Sequence, residues 1–176
     1  MTQLALTAIG RDRPGIVAEV TRALFGHSLN ITDSHMGVLG GRFSMMLIVE
    51  APEGTDLDAV REELARTRSR LDLDAVALHP LTATEQTSAA DPSHIVTVYG
   101  VDHPGIVHAV CARLASKSVN VTDLETRLVG DGLYAMVLEV ALPPELDPEA
   151  MAAMLADVGA EQGVEVTVRP LEPDVM

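Results

Sequence analysis

Two short stretches of this chain carry the residue types needed to hold both charges of a zwitterion. One is Asp12-Arg13-Pro14-Gly15-Ile16, the other Asn30-Ile31-Thr32-Asp33. The Asp12 carboxylate can accept hydrogen bonds from an ammonium group. Gly15 has no side chain, so another group can approach its backbone closely. Pro14 sits at a position suited to a first helical turn, where it fixes φ and gives up no needed N–H. The N–H groups of that turn favour a carboxylate by roughly 0.3–1 kcal/mol, and by ~2 kcal/mol when partly buried. Asn30 both donates and accepts, so its amide can read either end of a zwitterion. An α-amino acid needs such a set. A plainer reading stands beside it: an Asp before a helix is an ordinary cap, Gly15 permits close helix–strand packing, and Asn30 makes the turn into a strand. The residues alone leave both open.

Both stretches occur twice. Gly10-Arg11-Asp12-Arg13-Pro14-Gly15-Ile16-Val17 returns as Gly100-Val101-Asp102-His103-Pro104-Gly105-Ile106-Val107, 90 positions later. Asn30-Ile31-Thr32-Asp33 returns as Asn120-Val121-Thr122-Asp123 at the same offset, which also relates Val20 to Val110, Leu24 to Leu114, Gly40 to Gly130 and Met46 to Met136. Chance does not hold one register over such a span, so the chain is a duplication. Residues 83–92 between the copies are small, polar and without a core pattern, and read as a linker. The expected domains are 1–82 and 93–171, with a tail at 172–176.

The elements that must position these residues repeat as well. Leu4 to Ile9 and Ile95 to Tyr99 are β-prone runs that end at a glycine. Ile16, Val17, Val20 and Leu24, with Ile106, Val107, Val110 and Leu114, fall at helical spacing. Leu29 to Leu39 and Phe43 to Glu50 read as strands joined by Gly40-Gly41, a hairpin signal, with Gly130-Asp131-Gly132 as its counterpart. Leu57, Val60 and Leu64 mark a second helix, as do Met151, Met154, Leu155 and Val158. Leu71 to Leu78 and Val164 to Val168 close each unit as strands. The order β-α-β-β-α-β, twice, is the ferredoxin-like arrangement, an α+β fold of antiparallel sheets with helices on one face.

Asp-x-Pro-Gly-Ile-Val, followed by Asn-(Ile/Val)-Thr-Asp, resembles the ACT domain, and the resemblance covers nearly the whole chain. Two such domains without an attached enzyme look most like the glycine cleavage system transcriptional repressor family. The layout is also similar to the regulatory portion of some phosphoserine phosphatases, but no Asp-x-Asp-x-Thr stretch or hydrolase body accompanies it. The resemblance implies a ligand held between the first loop and helix start of one domain and the second strand of a partner domain. Carried over by motif, the binding residues are Asp12, Arg13, Pro14, Gly15, Ile16, Asn30, Ile31, Thr32 and Asp33. In the second copy they are Asp102, His103, Pro104, Gly105, Ile106, Asn120, Val121, Thr122 and Asp123. It further implies an amino-acid ligand, a regulated protein partner, and neither catalysis nor a cofactor. The alternatives are feedback control of a metabolic enzyme, or a dimerisation module without ligand. A homodimer is the common default for self-association, though two copies within one chain can also pair with each other. The copies have diverged: Arg11, Arg13, Ser34 and His35 become Val101, His103, Leu124 and Glu125. The first loop is therefore the better host for an anionic ligand.

Composition bounds the partners. The formal net charge is −14, with 12 Lys and Arg against 26 Asp and Glu. Phosphate backbones and anionic membrane surfaces are bound by clustered cations, so direct contact with nucleic acid or membrane is not expected. Aromatics are 2% of the chain and Trp is absent, which removes base-stacking platforms. Cys111 is the single cysteine, so no intrachain disulfide can form. With no apolar run long enough to span a bilayer and no secretion signal at Met1-Thr2-Gln3-Leu4, the chain reads as cytoplasmic. The six histidines lack zinc-ligand spacing, and Cys111 has no base placed near it by motif. Arg61, Arg66, Arg68 and Arg70 sit towards a helix C-terminus, which favours cations. No P-loop, dinucleotide fingerprint or nucleophile elbow is present.

Overall fold

The computed structural model describes residues 1–82, 91–130 and 132–171. Most of the expected linker (83–90), Asp131 of the second hairpin and the tail 172–176 lie outside the described residues. The chain divides into two compact units. The first contains β1 (Thr2–Arg11), α1 (Ile16–Phe25), β2 (Asn30–Leu39), β3 (Arg42–Ala51), α2 (Leu57–Leu71) and β4 (Leu73–Pro80). The second contains β5 (His94–Val101), α3 (Ile106–Ala115), β6 (Asn120–Val129), β7 (Leu133–Ala141), α4 (Pro148–Gln162) and β8 (Val164–Pro170). Strand order is β2-β3-β1-β4 in one sheet and β6-β7-β5-β8 in the other, with every neighbouring pair antiparallel. The expected β-α-β-β-α-β order is thus present twice.

Alternation in the strands fixes which face is covered. Leu4, Leu6 and Ala8 of β1 are buried with Phe43, Met45, Leu47 and Val49 of β3, and the helices supply Ile16, Val20, Leu24, Val60 and Leu64. Val96 and Val98 of β5 do the same with Met136, Leu138 and Val140 of β7 and Ile106, Val110, Leu114, Met151, Leu155 and Val158 of the helices. The central strands carry both cores. The outer strands β2 and β6 are exposed along nearly their whole length.

Three expectations need correction. Val17 and Val107 are exposed rather than in the core. Each follows a buried isoleucine by one residue, which on a helix is a rotation of about 100° away from the buried stripe. Pro14 is not in the first turn, because α1 begins at Ile16 with Gly15 as its N-cap. Leu71 belongs to the last turn of α2, not to the closing strand. Asp72 follows it at φ 50, a left-handed C-cap that stops the helix.

The long helices are capped by side chains. Asp56 accepts from the N–H groups of Asp58 and Ala59, both at 3.1 Å, and Asp147 accepts from Glu149 N–H at 3.2 Å with Pro148 next in line. Asp56→Ala is expected to lower stability by about 1 kcal/mol, read as a drop in denaturant midpoint at unchanged m-value. An unchanged midpoint would mean that the cap adds nothing to α2.

Candidate functional site

The first loop is built to leave a helix start uncovered. The Asp12 N–H donates to Gly41 O at 3.0 Å, which ties the loop to the tip of the β2–β3 hairpin. Gly40 and Gly41 form that two-residue tip, both at positive φ. The chain then enters α1 through Gly15 at φ 93, a conformation suited to glycine. No side chain caps this helix, so Asp12 is not the ordinary cap that one reading allowed. A Cβ at Gly15 would meet nothing within 4 Å. Close helix–strand packing therefore does not explain that glycine, and the backbone there faces open space.

That space is a cleft of about 640 Å³ lined by Asp12, Arg13, Pro14, Gly15, Ile16, Val17, Ala18, Met36 and Phe43. One end offers a carboxylate, a guanidinium and the start of a helix; the rest is apolar. Arg11 and Arg13 make no ion pair among the described residues, whereas Arg22, Arg42, Arg61, Arg66 and Arg70 are all within reach of carboxylates. Those pairings account for most of the cationic end of α2, and Arg68 donates to Leu73 O at 3.3 Å. Met36, Phe43, Val17 and Ala18 were not anticipated as lining residues. Met36 and Phe43 come from segments brought to the loop by the fold, and the signal in the chain was that Ala18, Met36 and Phe43 differ from His108, Thr126 and Leu133 at the repeat offset.

The second motif lies elsewhere. Arg11 is level with Arg42 at one end of the sheet, while Asn30 is level with Glu50, and Glu50 with Gln3. Arg11 is eight residue steps along β1 from Gln3, roughly 26 Å at strand rise. Asn30 and Ile31 border a separate hollow of about 560 Å³ beside Thr21, Arg22 and Phe25 of α1. Asp33 faces a third, with His35, Met46 and Ile48. Within one domain, then, the two motifs do not meet. Asn120 likewise pairs with Ala141, at the opposite end from Val101 and Leu133.

Part of the second motif does local structural work. The register shifts between Ile31 and Asp33 and between Val121 and Asp123. At each shift the threonine hydroxyl donates across to the neighbouring strand, Thr32 to Ile48 O at 3.2 Å and Thr122 to Glu139 O at 3.1 Å. Each therefore fastens a β-bulge at the head of an outer strand. Asp33 accepts from the Ser34 N–H at 2.7 Å.

The second domain repeats the loop's backbone but replaces Arg11 and Arg13 with Val101 and His103. Asp102 N–H again donates to the hairpin, at Gly132 O, 3.0 Å away. Gly105 again caps its helix at φ 109 without a side-chain cap, and Pro104 and Ile106 flank it as in the first copy. But the His103 ring is held inward: Nε2 lies 2.7 Å from Gln162 O, and Nδ1 lies 3.1 Å from Pro104 O. These two carbonyls, helped by Asp102, raise the His103 pKa above the usual imidazole value. Elsewhere, burial pushes the Cys111 thiol up, which disfavours thiolate. Among the described residues no group of three or more His, Cys, Asp or Glu is placed to hold a metal. Among them, too, no helix is long and apolar enough to cross a membrane.

Comparison with known proteins places this geometry. A UPF0237 protein of Methanopyrus kandleri is 38% identical over 80 residues, which is 45% of this chain and 89% of that protein. The glycine cleavage system transcriptional repressor of Escherichia coli is 28% identical over 129 residues, 70% of this chain and 64% of that protein. A crystal structure of a protein from Galdieria sulphuraria superposes with a TM-score of 0.79 at 28% identity, covering 97% of this chain and 99% of that one. The sequence profile of the ACT domain matches residues 2–77 and again 94–169. The chain therefore belongs to the ACT-domain family, with one such domain in each unit.

Proposed function

We propose that this protein is a non-catalytic sensor of a free amino acid, and that the first-domain cleft receives the ligand. The single observation that carries this reading is the start of α1: a helix with no side-chain cap, entered through Gly15 at φ 93, opening into a cleft that Asp12 and Arg13 border. The ligand carboxylate is held by the N–H groups of the first turn and Arg13, its ammonium by Asp12, and its side chain by Val17 and Met36. Asn30 to Asp33, at the far end of the sheet, would then complete a site only by meeting the loop of another ACT domain. Domain limits of 1–82 and 93–171 are part of this reading.

Occupancy is passed on by differential affinity: the ligand favours one domain pairing or one exposed surface over another. The relationship to the E. coli repressor supports a transcription regulator as the receiving partner. The charge of −14 favours action through a protein rather than through direct contact with nucleic acid. The reading places the protein in the cytoplasm and includes a homodimer.

The test is a dye-based thermal-shift screen against the proteinogenic amino acids, because without Trp intrinsic fluorescence is a poor probe. A ligand that binds only the folded state, at about a hundred times its Kd, adds roughly 2.7 kcal/mol. The expected result is a clear rise with one or a few amino acids, weakened by Asp12→Ala and by Arg13→Ala. No rise with any of them sinks the sensor. The exposure of β2 and β6 then favours the second reading, an assembly module without ligand. Sedimentation would detect its oligomer, indifferent to added amino acids.

A further inference from the structure

The two loops are copies, each tied to its hairpin by a backbone bond from Asp12 or Asp102, yet only one is also fastened by a side chain. In the first, Arg13 makes no hydrogen bond or ion pair among the described residues, and its side chain borders the cleft. In the second, the residue at the same place is His103, and both of its ring nitrogens face carbonyl oxygens. Pro104 O belongs to the loop itself. Gln162 O belongs to the last turn of α4, 59 positions away in sequence. Carbonyls at a helix C-terminus carry the negative end of the helix dipole, where a cation is favoured. Two carbonyl partners also impose a proton count. A neutral imidazole has one N–H and can donate to only one of them, while its bare nitrogen turns a lone pair towards the other. An imidazolium donates to both.

We propose that His103 is a proton-dependent latch, present only in the second domain, which pins the β5–α3 loop to the C-terminal end of α4 while the ring is doubly protonated and loosens when the ring loses a proton, because one of its two hydrogen bonds is then lost. The latch itself stands on the loop geometry. Its consequence, that the second domain takes up ligand less readily than the first until the latch opens, rests on the reading proposed above.

The surrounding charges agree with this assignment. Asp102, on the same loop, favours the protonated ring. Glu161 of α4, next to the carbonyl that receives Nε2, faces Arg113 of α3 at 3.9 Å. Tyr134 of β7, which interacts with Asp102 and with Cys111 of α3, has a raised pKa, as does Cys111, and both stay neutral through the range in which an imidazole titrates. The direction follows from linkage. The folded-state pKa of His103 lies above its unfolded value near 6.5. The latch is therefore fully made below about 6.5 and is lost as pH rises through the higher, folded value.

The experiment uses the full chain without ligand, so that failure of the latch and failure of the sensor are separate results. Histidine side-chain NMR gives the His103 titration midpoint, compared with a peptide spanning Gly100 to Ile106. Hydrogen exchange, corrected for intrinsic rates, gives protection of the loop amides on either side of that midpoint. The expected result is a midpoint higher in the protein than in the peptide, and protection of the 103–106 amides that falls several-fold as pH rises through it. The 13–16 amides of the first domain should show no such step. In His103→Gln, which can donate one hydrogen bond and cannot titrate, the step at 103–106 should vanish. A midpoint at or below that of the peptide overturns the latch. So does protection that is unaffected by pH, or a step that survives in His103→Gln. Should that variant fold poorly, the wild-type titration decides alone.

Discussion

Gly159→Ala is expected to destabilise the second domain by about 1–3 kcal/mol, although it places a stronger helix former inside α4. At an exposed helical site the same change gains up to ~1 kcal/mol. Gly159 is buried, and its open face is turned onto β8. A Cβ there would lie 2.7 Å from Val164 O and 3.0 Å from Val166 Cγ2. The first of these is backbone and cannot rotate out of the way as the end of a long side chain can. The helix must lift from the sheet, and overpacking of this kind typically costs about 1–3 kcal/mol. Gly26→Ala is the matched control. Gly26 has φ −59 and ψ −20, which alanine adopts freely, and its nearest atoms are carbonyls at 3.5 and 3.7 Å. It is expected to gain about 0.4–1 kcal/mol by restricting the unfolded chain. Urea unfolding followed by circular dichroism measures both. Equal midpoints for wild type and Gly159→Ala would mean that α4 does not rest on β8 as closely as described.

How much of this was legible beforehand depends on whether the information is local. The duplication, the element order and the hairpin at Gly40-Gly41 are written in spacing and residue type, and all are present in the fold. Val20 and Leu24 were marked by helical spacing as one face, and both are buried. Periodicity misled at Val17, since a position beside Ile16 and three before Val20 fits a loose helical pattern yet points outward. The left-handed backbone at Gly15 and Asp72 moved helix boundaries by one or two residues.

Within one domain the fold brings together only the first half of the candidate site. Asp12, Arg13 and Gly15 are sequence neighbours and remain spatial neighbours at one cleft. Asn30 was expected to meet the loop of a partner domain, and within its own domain it stands apart from that loop because α1 carries the chain back along the sheet. β2 therefore begins level with the start of β1 rather than with its end. The bulge that Thr32 fastens is a matter of cross-strand register, which no single strand records. The tether of His103 joins residues from two distant segments, and nothing near His103 in the chain announces it.

Phe43 is where core and cleft share one side chain, and its substitution carries the largest expected effect on the first domain. It is 1% exposed, lies opposite Gly10 of β1 and Val38 of β2, and also borders the cleft. Phe43→Ala is expected to cost about 3–5 kcal/mol, as the lost burial and the cavity left behind add together. For a domain of this size, at about 4–8 °C per kcal/mol, the unfolding midpoint of that domain falls by at least ~12 °C. Phe43→Leu, which installs the residue found at Leu133 in the second copy, keeps most of the volume and is expected to cost under about 2 kcal/mol. This milder variant separates the two roles of the side chain. With the amino acid that gives the largest thermal shift in wild type, Phe43→Leu is expected to give a smaller shift, because the cleft wall has changed shape. Leu6→Ala is the control: Leu6 is fully buried and does not line the cleft. It is expected to lose about 2–5 kcal/mol of stability yet keep the ligand-induced increment. A full increment in Phe43→Leu would place the ligand outside this cleft. Loss of the increment in Leu6→Ala as well would mean that binding follows overall stability rather than the wall that Phe43 provides.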